Sequence, residues 1–331
     1  MSSRATIEEV AATAGVSRST VSRVVNGSTA VSPEALEAVR AAIARLNYVP
    51  NRAARSLASR QTHAIALIVP EDTTRFFGDP FFAAIVAGIT GALAGSDYLL
   101  NLLIASEDPG DKMGTFVRNG GVDGALIVSH HTSDAYIDSI ADAVPTVFGG
   151  RPVHERDTDY VVDVDNVVGA RAATQRLIDI GRTRIATVTG PLTMLSAGDR
   201  VQGFRGALKD AGLTPFAEEE GDYSEASGAE AVRRILTVGT PDGLFVASDL
   251  MARGALRALR RAGLRVPEDV AIVGFDDSSV AVTTDPPLTT VRQPMYKQGE
   301  SMAEVLLSHL AGGSPERETI LPTELVVRGS A

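Results

Sequence analysis

Thr6-Ile7-Glu8-Glu9-Val10-Ala11-Ala12-Thr13-Ala14-Gly15-Val16-Ser17-Arg18-Ser19-Thr20-Val21-Ser22-Arg23-Val24-Val25-Asn26-Gly27 reads as two short helices joined by a glycine turn. Thr6 can cap the first helix, and Glu9 three residues later can bond back to the Thr6 amide, a capping box ahead of Ile7, Val10 and Ala11. Gly15 stops that helix. Ser17 is placed to cap a second, on which Val21, Val24 and Val25 face inward while Arg18, Ser19, Ser22 and Arg23 face out. Ser32-Pro33-Glu34 starts a third by N-cap and proline-at-N1 logic, with Leu36, Val39, Ile43 and Leu46 at helical spacing. Three such helices make a small all-α helix-turn-helix headpiece.

Charge separates this segment from the rest. Residues 1–60 hold eight Arg and no Lys against four Glu, a net of +4, whereas the remainder has 23 basic and 37 acidic residues, a net of −14. Averaged over the chain the balance is −10, which would hide a basic docking face. Phosphate contacts need basic residues only where DNA docks. A helical subdomain with no nucleic-acid role is the bland alternative, and the next segment speaks against it. Asn51-Arg52-Ala53-Ala54-Arg55-Ser56-Leu57-Ala58 follows Pro50, which separates it from the third helix. Helix formers, two arginines and one apolar Leu57 are not linker composition. A helix this short is marginal in water, so it is expected to order only when docked on DNA against a twin.

Thr20-Val21-Ser22-Arg23-Val24-Val25-Asn26-Gly27 and Tyr48-Val49-Pro50-Asn51-Arg52-Ala53-Ala54 resemble the LacI/GalR family of bacterial repressors. Val266-Pro267-Glu268-Asp269-Val270-Ala271-Ile272-Val273-Gly274-Phe275-Asp276-Asp277-Ser278 and Pro286-Pro287-Leu288-Thr289-Thr290-Val291-Arg292-Gln293-Pro294 resemble the same family's effector domain, so the likeness spans essentially the whole chain. It implies that Arg18 and Ser19 choose bases, with Arg23 and Asn26 at further contact positions. A guanidinium can donate two hydrogen bonds to guanine in the major groove, about 1–3 kcal/mol of discrimination. Ser17, Ser22 and Ser32 suit phosphates, and Thr6, Thr20, Asn51 and Ala58 complete the expected DNA-binding set. Leu57 matches the hinge-helix leucine that wedges into the minor groove and kinks it, flanked by Ala54 and Arg55.

Past residue 60, apolar strand-like runs alternate with helical patterns: Ala64–Val69, Tyr98–Ile104, Asp123–Val128, Thr146–Phe148, Val161–Val164, Arg184–Val188, Asp242–Ala247 and Val270–Phe275. Alternation of this kind indicates a parallel α/β design. The length is that of two units at about 150 residues apiece, and Val122–Ser129 echoes Pro241–Ser248. The resemblance implies two periplasmic-binding-protein-like lobes crossed several times by the chain. The expected organisation is a headpiece over 1–50, a hinge helix over 51–60 and a sugar-binding and dimerisation core over 61–331. Lobe 1 would take about 61–162 and 293–322, lobe 2 about 163–292 and 323–331.

Ligands in open α/β sheets sit at the carboxyl ends of strands. Asp276, Ser248 with Asp249, and Phe148-Gly149-Gly150-Arg151 all occupy such ends. Carboxylates accept sugar hydroxyls, arginine donates, and an aromatic face packs on a pyranose. By resemblance, Arg200 is the family's cleft arginine, Asp276 its cleft aspartate, Tyr223 its stacking aromatic, and Gln293 closes the far wall. Phe77, Asp79 and Phe81 are further candidates from the Phe76-Phe77-Gly78-Asp79-Pro80-Phe81-Phe82 run. There Phe82, Ile85, Ile89 and Leu93 have core spacing, so Phe82 is expected buried and Phe81 at the cleft. Ser248 stands where many relatives have Asn and Gly149 where one has Asp, which shortens polar contacts and implies a roomier cleft suited to a disaccharide. Phe148–Pro152 and Ser248–Ala252 resemble actinobacterial cellobiose- and β-glucoside-responsive repressors.

There are no cysteines, which removes disulfides and thiolate metal sites. No signal peptide or long apolar run is evident, so a cytoplasmic protein without membrane contact is expected. His130-His131 lacks metal-site spacing and reads as a strand end that could face ligand; Asp163-Val164-Asp165-Asn166 lacks the calcium-loop glycine and distal Glu and reads as a strand end capping a helix. No metal and no cofactor are expected. A glycosidase would use paired carboxylates on the same sugar, but no hydrolase or nucleotide-binding motif occurs, and an enzyme is not expected. The reading is a homodimeric repressor of double-stranded operator DNA, released by a small sugar; a purine corepressor that tightens binding is the alternative. The chain finishes in a strand-like Glu324–Ala331 rather than a leucine-rich helix, which favours a dimer over a tetramer.

Overall fold

The computed structural model describes residues 5–25, 30–48, 61–104, 106–108, 110–154 and 156–331. Contacts divide the chain into two units, residues 1–62 and 63–331. In the first, α1 (Ile7–Ala14), α2 (Arg18–Val25) and α3 (Pro33–Leu46) enclose Val10, Ala11, Val21, Val39 and Ala42. The termini form as the side chains dictate. Thr6 N bonds Glu9 Oε2 at 2.8 Å while Glu9 N bonds Thr6 Oγ1 at 3.3 Å. Gly15 ends α1 at φ +68°, a conformation glycine reaches without a Cβ penalty. Ser17 Oγ accepts from Thr20 N at 3.2 Å and Ser32 Oγ from Ala35 N at 3.3 Å.

The second unit holds two six-stranded sheets. Its elements are β1 (Ala64–Val69), α4 (Thr73–Gly78), α5 (Pro80–Leu93), β2 (Leu99–Ile104), α6 (Lys112–Arg118), β3 (Gly124–Val128), α7 (Tyr136–Ala141), β4 (Thr146–Gly149), β5 (Tyr160–Val164) and α8 (Asn166–Asp179). There follow β6 (Ile185–Thr189), α9 (Leu195–Asp210), β7 (Glu218–Glu220), α10 (Glu225–Val238), β8 (Gly243–Val246), α11 (Asp249–Arg261), β9 (Ala271–Asp276), β10 (Thr289–Arg292), α12 (Met295–Leu310), β11 (Glu318–Leu321) and β12 (Glu324–Val326).

The first sheet runs β11-β5-β4-β3-β1-β2, the second β12-β10-β9-β8-β6-β7. All pairings are parallel except β10 with β12. Strands β1 and β3 are continuous apolar runs, and β6 and β9 are buried along their whole length, because helices cover both faces. Separate apolar clusters on the two faces of each sheet form the core, and burying one Leu-sized side chain there contributes about 1.5–3 kcal/mol. The echoing segments Val122–Ser129 and Pro241–Ser248 contain β3 and β8, which hold equivalent places in the two sheets. The chain passes between sheets three times, from β5 to α8, from β10 to α12, and from β11 to β12. Those crossings bring the ends of β3, β4 and β5 to face the ends of β6, β8 and β9.

Candidate functional site

The headpiece presents its polar side chains at helix starts. Arg18, Ser19 and Arg23 are exposed on α2, Thr20 and Ser22 half-buried beside them. Arg18 touches Glu8 at 3.3 Å with its side chain 73% exposed, so solvent screening leaves that pair weak and the guanidinium available. Thr6, Ser17 and Ser32 are exposed caps at three N-termini, where partial positive charge suits phosphate. Asn26 and the expected hinge residues Asn51, Ala54, Arg55, Leu57 and Ala58 lie outside the described residues.

Between the two sheets is a cleft of about 700 Å³ including its open mouth. Asp79, Phe81, Gly149, Arg151, Arg200, Tyr223, Ser248, Asp276 and Gln293 border it. Arg200, on the second turn of α9, is braced from three sides. Its Nε donates to Asn166 Oδ1 at 2.9 Å, its Nη1 to the Ala247 carbonyl at 2.6 Å, and its guanidinium lies 3.7 Å from the Phe275 ring centroid. Asp276 ends β9; its Oδ1 accepts from Gln293 Nε2 at 2.6 Å and its Oδ2 from the Asp249 amide at 3.4 Å. Ser129, Tyr223 and Asp276 border the cleft with φ of +60°, +66° and +120°. Positive φ in side-chain-bearing residues stores strain, and it concentrates here.

Burial sets the electrostatics. Asp79, Asp163 and Asp276 all have carboxyl pKa values raised, first by burial. For Asp276 the Asp249 charge adds to the rise and Arg200 opposes it. Burial likewise pushes the His130 imidazole down and the Tyr223 phenol up. Several contacts join the lobes at the mouth, among them the Thr132 amide donating to the Thr193 carbonyl at 2.9 Å. Arg151 ion-pairs Asp199, Arg75 donates to the Asp222 carbonyl beneath its stacking on Tyr223 at 4.9 Å, and His131 Nδ1 meets Thr193 Oγ1 at 2.8 Å.

Four expectations need correction. Phe77 is 77% exposed on the last turn of α4, set edge-on to Phe76; one step along a helix rotates the side chain away, and Phe76 takes the inward place. Phe148 points into the core with Ile68, Ile127 and Ile140, because neighbouring residues on a strand face opposite sides. Asp249 is wholly buried beneath the cleft, its carboxylate taken by the Thr290 hydroxyl at 2.6 Å and the Ser278 amide at 2.8 Å. A Cβ on Gly149 would stand 2.7 Å from Val128 Cγ1 and 3.0 Å from Met302 Sδ, so that glycine serves packing rather than added ligand space. Phe81 borders the cleft and Phe82 is buried.

Sequence reasoning left out Arg75, Ser129, Asn166, Met194, Ser196 and Gln298, all on the cleft wall. Asn166 had a signal, since Asp165 caps α8 through Val168 N at 2.9 Å and thereby aims the helix start at the cleft. Gln298 had none, since its neighbours Tyr296 and Lys297 are exposed and nothing in the sequence sets it apart from them.

Residues 6–51 match the family described as "Bacterial regulatory proteins, lacI family", and residues 174–331 match "Periplasmic binding protein-like domain". The chain is 45% identical over 337 residues to the HTH-type transcriptional regulator CelR of Thermobifida fusca, covering 99% of this chain and 98% of that protein. It superimposes on a solved complex of the transcriptional regulator CelR with cellobiose at TM-score 0.79 and 42% identity, covering 99% and 100% of the two chains. On a lac repressor dimer bound to operator and an anti-inducer the TM-score is 0.84 at 32% identity, with 99% of each chain covered. No described helix is long and apolar enough to cross a membrane.

Proposed function

The chain belongs to the lacI family of bacterial regulatory proteins, and from that premise we propose that it represses transcription from a palindromic operator until a small sugar, cellobiose foremost, fills its cleft. The observation that carries the ligand class is the composition of the cleft wall. A braced cation in Arg200, hydroxyl acceptors in Asp276 and Asp79, and aromatic faces in Phe81 and Tyr223 surround one space, the mixture a polyhydroxylated ring demands. The relative solved with cellobiose narrows the choice to that disaccharide and its kin.

DNA binding falls to Arg18, Ser19 and Arg23 on α2, with the capped helix starts on phosphates. Two copies of the chain would place two headpieces in successive major grooves, as operator symmetry requires. Sugar that bridges the lobes favours one angle between them and so biases the attached headpieces; coupling of this kind is typically about 1–3 kcal/mol. The chain binds sugar without cleaving it. Asp276 accepts from Gln293 and the Asp249 amide, and Asp249 lies beneath the cleft on Thr290 and Ser278, so this pair is tied to the wall and the core rather than set across a scissile bond.

Thermal-shift screening against a sugar panel, followed by operator gel shifts, tests this reading. Cellobiose should raise the melting temperature by mass action and weaken operator binding. Tightened operator binding would make the ligand a corepressor, and glucose released from cellobiose would overturn the binding-only reading.

A further inference from the structure

Two buried side chains on the first lobe's wall each hold an acceptor atom with nothing to accept. His130 follows β3, and its Nε2 lies 2.9 Å from the Arg151 carbonyl oxygen. A carbonyl only accepts, so the ring proton sits on Nε2 and Nδ1 is left as a bare lone pair. Gln298 stands in the first turn of α12 and donates from Nε2 to the Val162 carbonyl at 3.1 Å. That bond fixes the amide orientation and leaves Oε1 as the free end. His130 Nδ1 and Gln298 Oε1 are both fully buried without a hydrogen-bond partner, and both residues border the cleft. Buried polar atoms are rarely left in this condition unless something else satisfies them.

We propose that His130 Nδ1 and Gln298 Oε1 form an acceptor subsite that takes two hydroxyl hydrogens of the sugar and restricts effectors to neutral saccharides. The inference rests on the sugar-binding reading above and specifies its ligand chemistry. Burial lowers the His130 pKa and so preserves the neutral, accepting ring. Asp163 lies nearby, its Oδ1 occupied by the Val164 amide at 2.7 Å and Asn166 Nδ2 at 3.2 Å. A Cβ at Gly150 would lie 4.0 Å from both Asp163 Oδ2 and His130 Cε1, so the glycine keeps the approach between them clear. A carboxylate, a phosphate or a fluorine placed there sets lone pairs against lone pairs. Sites built to pair a hydroxyl reject analogues lacking it far more strongly than apolar pockets reject a lost methylene.

Isothermal titration of the full chain tests the subsite, with cellobiose, its monodeoxy and monofluoro derivatives, cellobionic acid and cellobiose 6-phosphate as probes. Cellobiose should bind, and at least two single-position deoxy derivatives should lose ten- to hundred-fold, with the two anions at least as weak. Gln298→Met and His130→Phe should each weaken cellobiose by a similar factor and erase the penalty of one deoxy position, which a merely structural role would not do. The deoxy series on the unaltered chain needs no variant to fold. Variants that bind within twofold of the parent overturn the subsite, as does an anion bound as tightly as cellobiose. If another neutral saccharide binds instead of cellobiose, the cellobiose reading falls, and that sugar's deoxy series decides the subsite. If no neutral saccharide binds, the subsite falls with it.

Discussion

The smallest residue at the cleft positions one of the largest. A Cβ built on Gly190 would stand 2.1 Å from Tyr223 Cζ and 2.2 Å from its hydroxyl oxygen, so the ring rests directly on the glycine. Arg75 covers its other side at 4.9 Å, and φ of +66° fixes its backbone. Gly190→Ala must therefore displace the ring from its place on the cleft wall. Overpacking of this kind costs about 1–3 kcal/mol; sugar affinity should fall about tenfold or more while operator affinity is kept, and calorimetry beside gel shifts would measure both. Unchanged sugar affinity would remove Tyr223 from the binding wall. On α2, Arg18→Ala should cost about 1–3 kcal/mol toward the preferred operator and relax the choice at one base pair. A uniform loss across all sequences, with a shallower salt dependence, would reassign Arg18 to phosphate.

At the scale of elements, helix pairs meet through reciprocal glycines. In the α5/α12 pair, a Cβ at Gly88 would meet the Tyr296 carbonyl oxygen at 2.0 Å and one at Gly299 the Ile85 carbonyl oxygen at 2.3 Å. The α10/α11 pair repeats the device with Gly228 against Met251 O at 2.2 Å and Gly254 against Glu225 O at 2.0 Å. The obstacle is backbone, which cannot rotate aside, so Gly88→Ala and Gly254→Ala should each lower the core's melting temperature by several degrees. At about 2–4 °C per kcal/mol for a domain of this size, a change under 1 °C by scanning calorimetry would show that the helices can part freely. These contacts explain what could be read from sequence and what could not. Long apolar runs such as Ala64–Val69 announce their strands because both faces are buried, whereas β7, Glu218–Glu220, is three glutamates on a sheet edge held by pairing with Thr187–Thr189 and by ion pairs to Arg205 and Arg234. The cleft residues at strand ends, Asp276 and Ser248, were legible through topology. Phe148 was misread because alternation decides its face; His130 was expected only as a strand end that could face ligand, and Gln298 acquires meaning only where crossings from distant segments converge.

At the scale of the whole molecule, buried carboxyls in the core link its stability to protons. Asp249 and Asp276 lie together at the ends of β8 and β9; Asp249 is pushed up to about 7, first by burial, and Asp276 is raised well above the carboxylate range by burial and then by the Asp249 charge. Asp79 and Asp163 shift the same way. An unfolded Asp titrates near 3.9, so between about pH 4 and 7 the folded chain holds more protons than the unfolded one. Stability from these groups is therefore complete below about pH 4 and is lost as pH rises through the folded values. Asp269, held down to about 2 by Arg265, acts in the opposite sense but only in acid, where its contribution disappears as pH falls below about 4. His130, pushed down by burial, works in the opposite sense below its unfolded value near 6.5, so the melting temperature of the core should decline most clearly from about pH 6.5 upward at fixed ionic strength. Asp276→Asn removes one titrating group while keeping an oxygen for Gln293 Nε2, and should flatten that decline. Scanning calorimetry of both proteins from about pH 6.5 upward decides the matter: a parent whose stability rises there, or a variant with an unchanged slope, would show that the buried pair is not what couples this fold to pH.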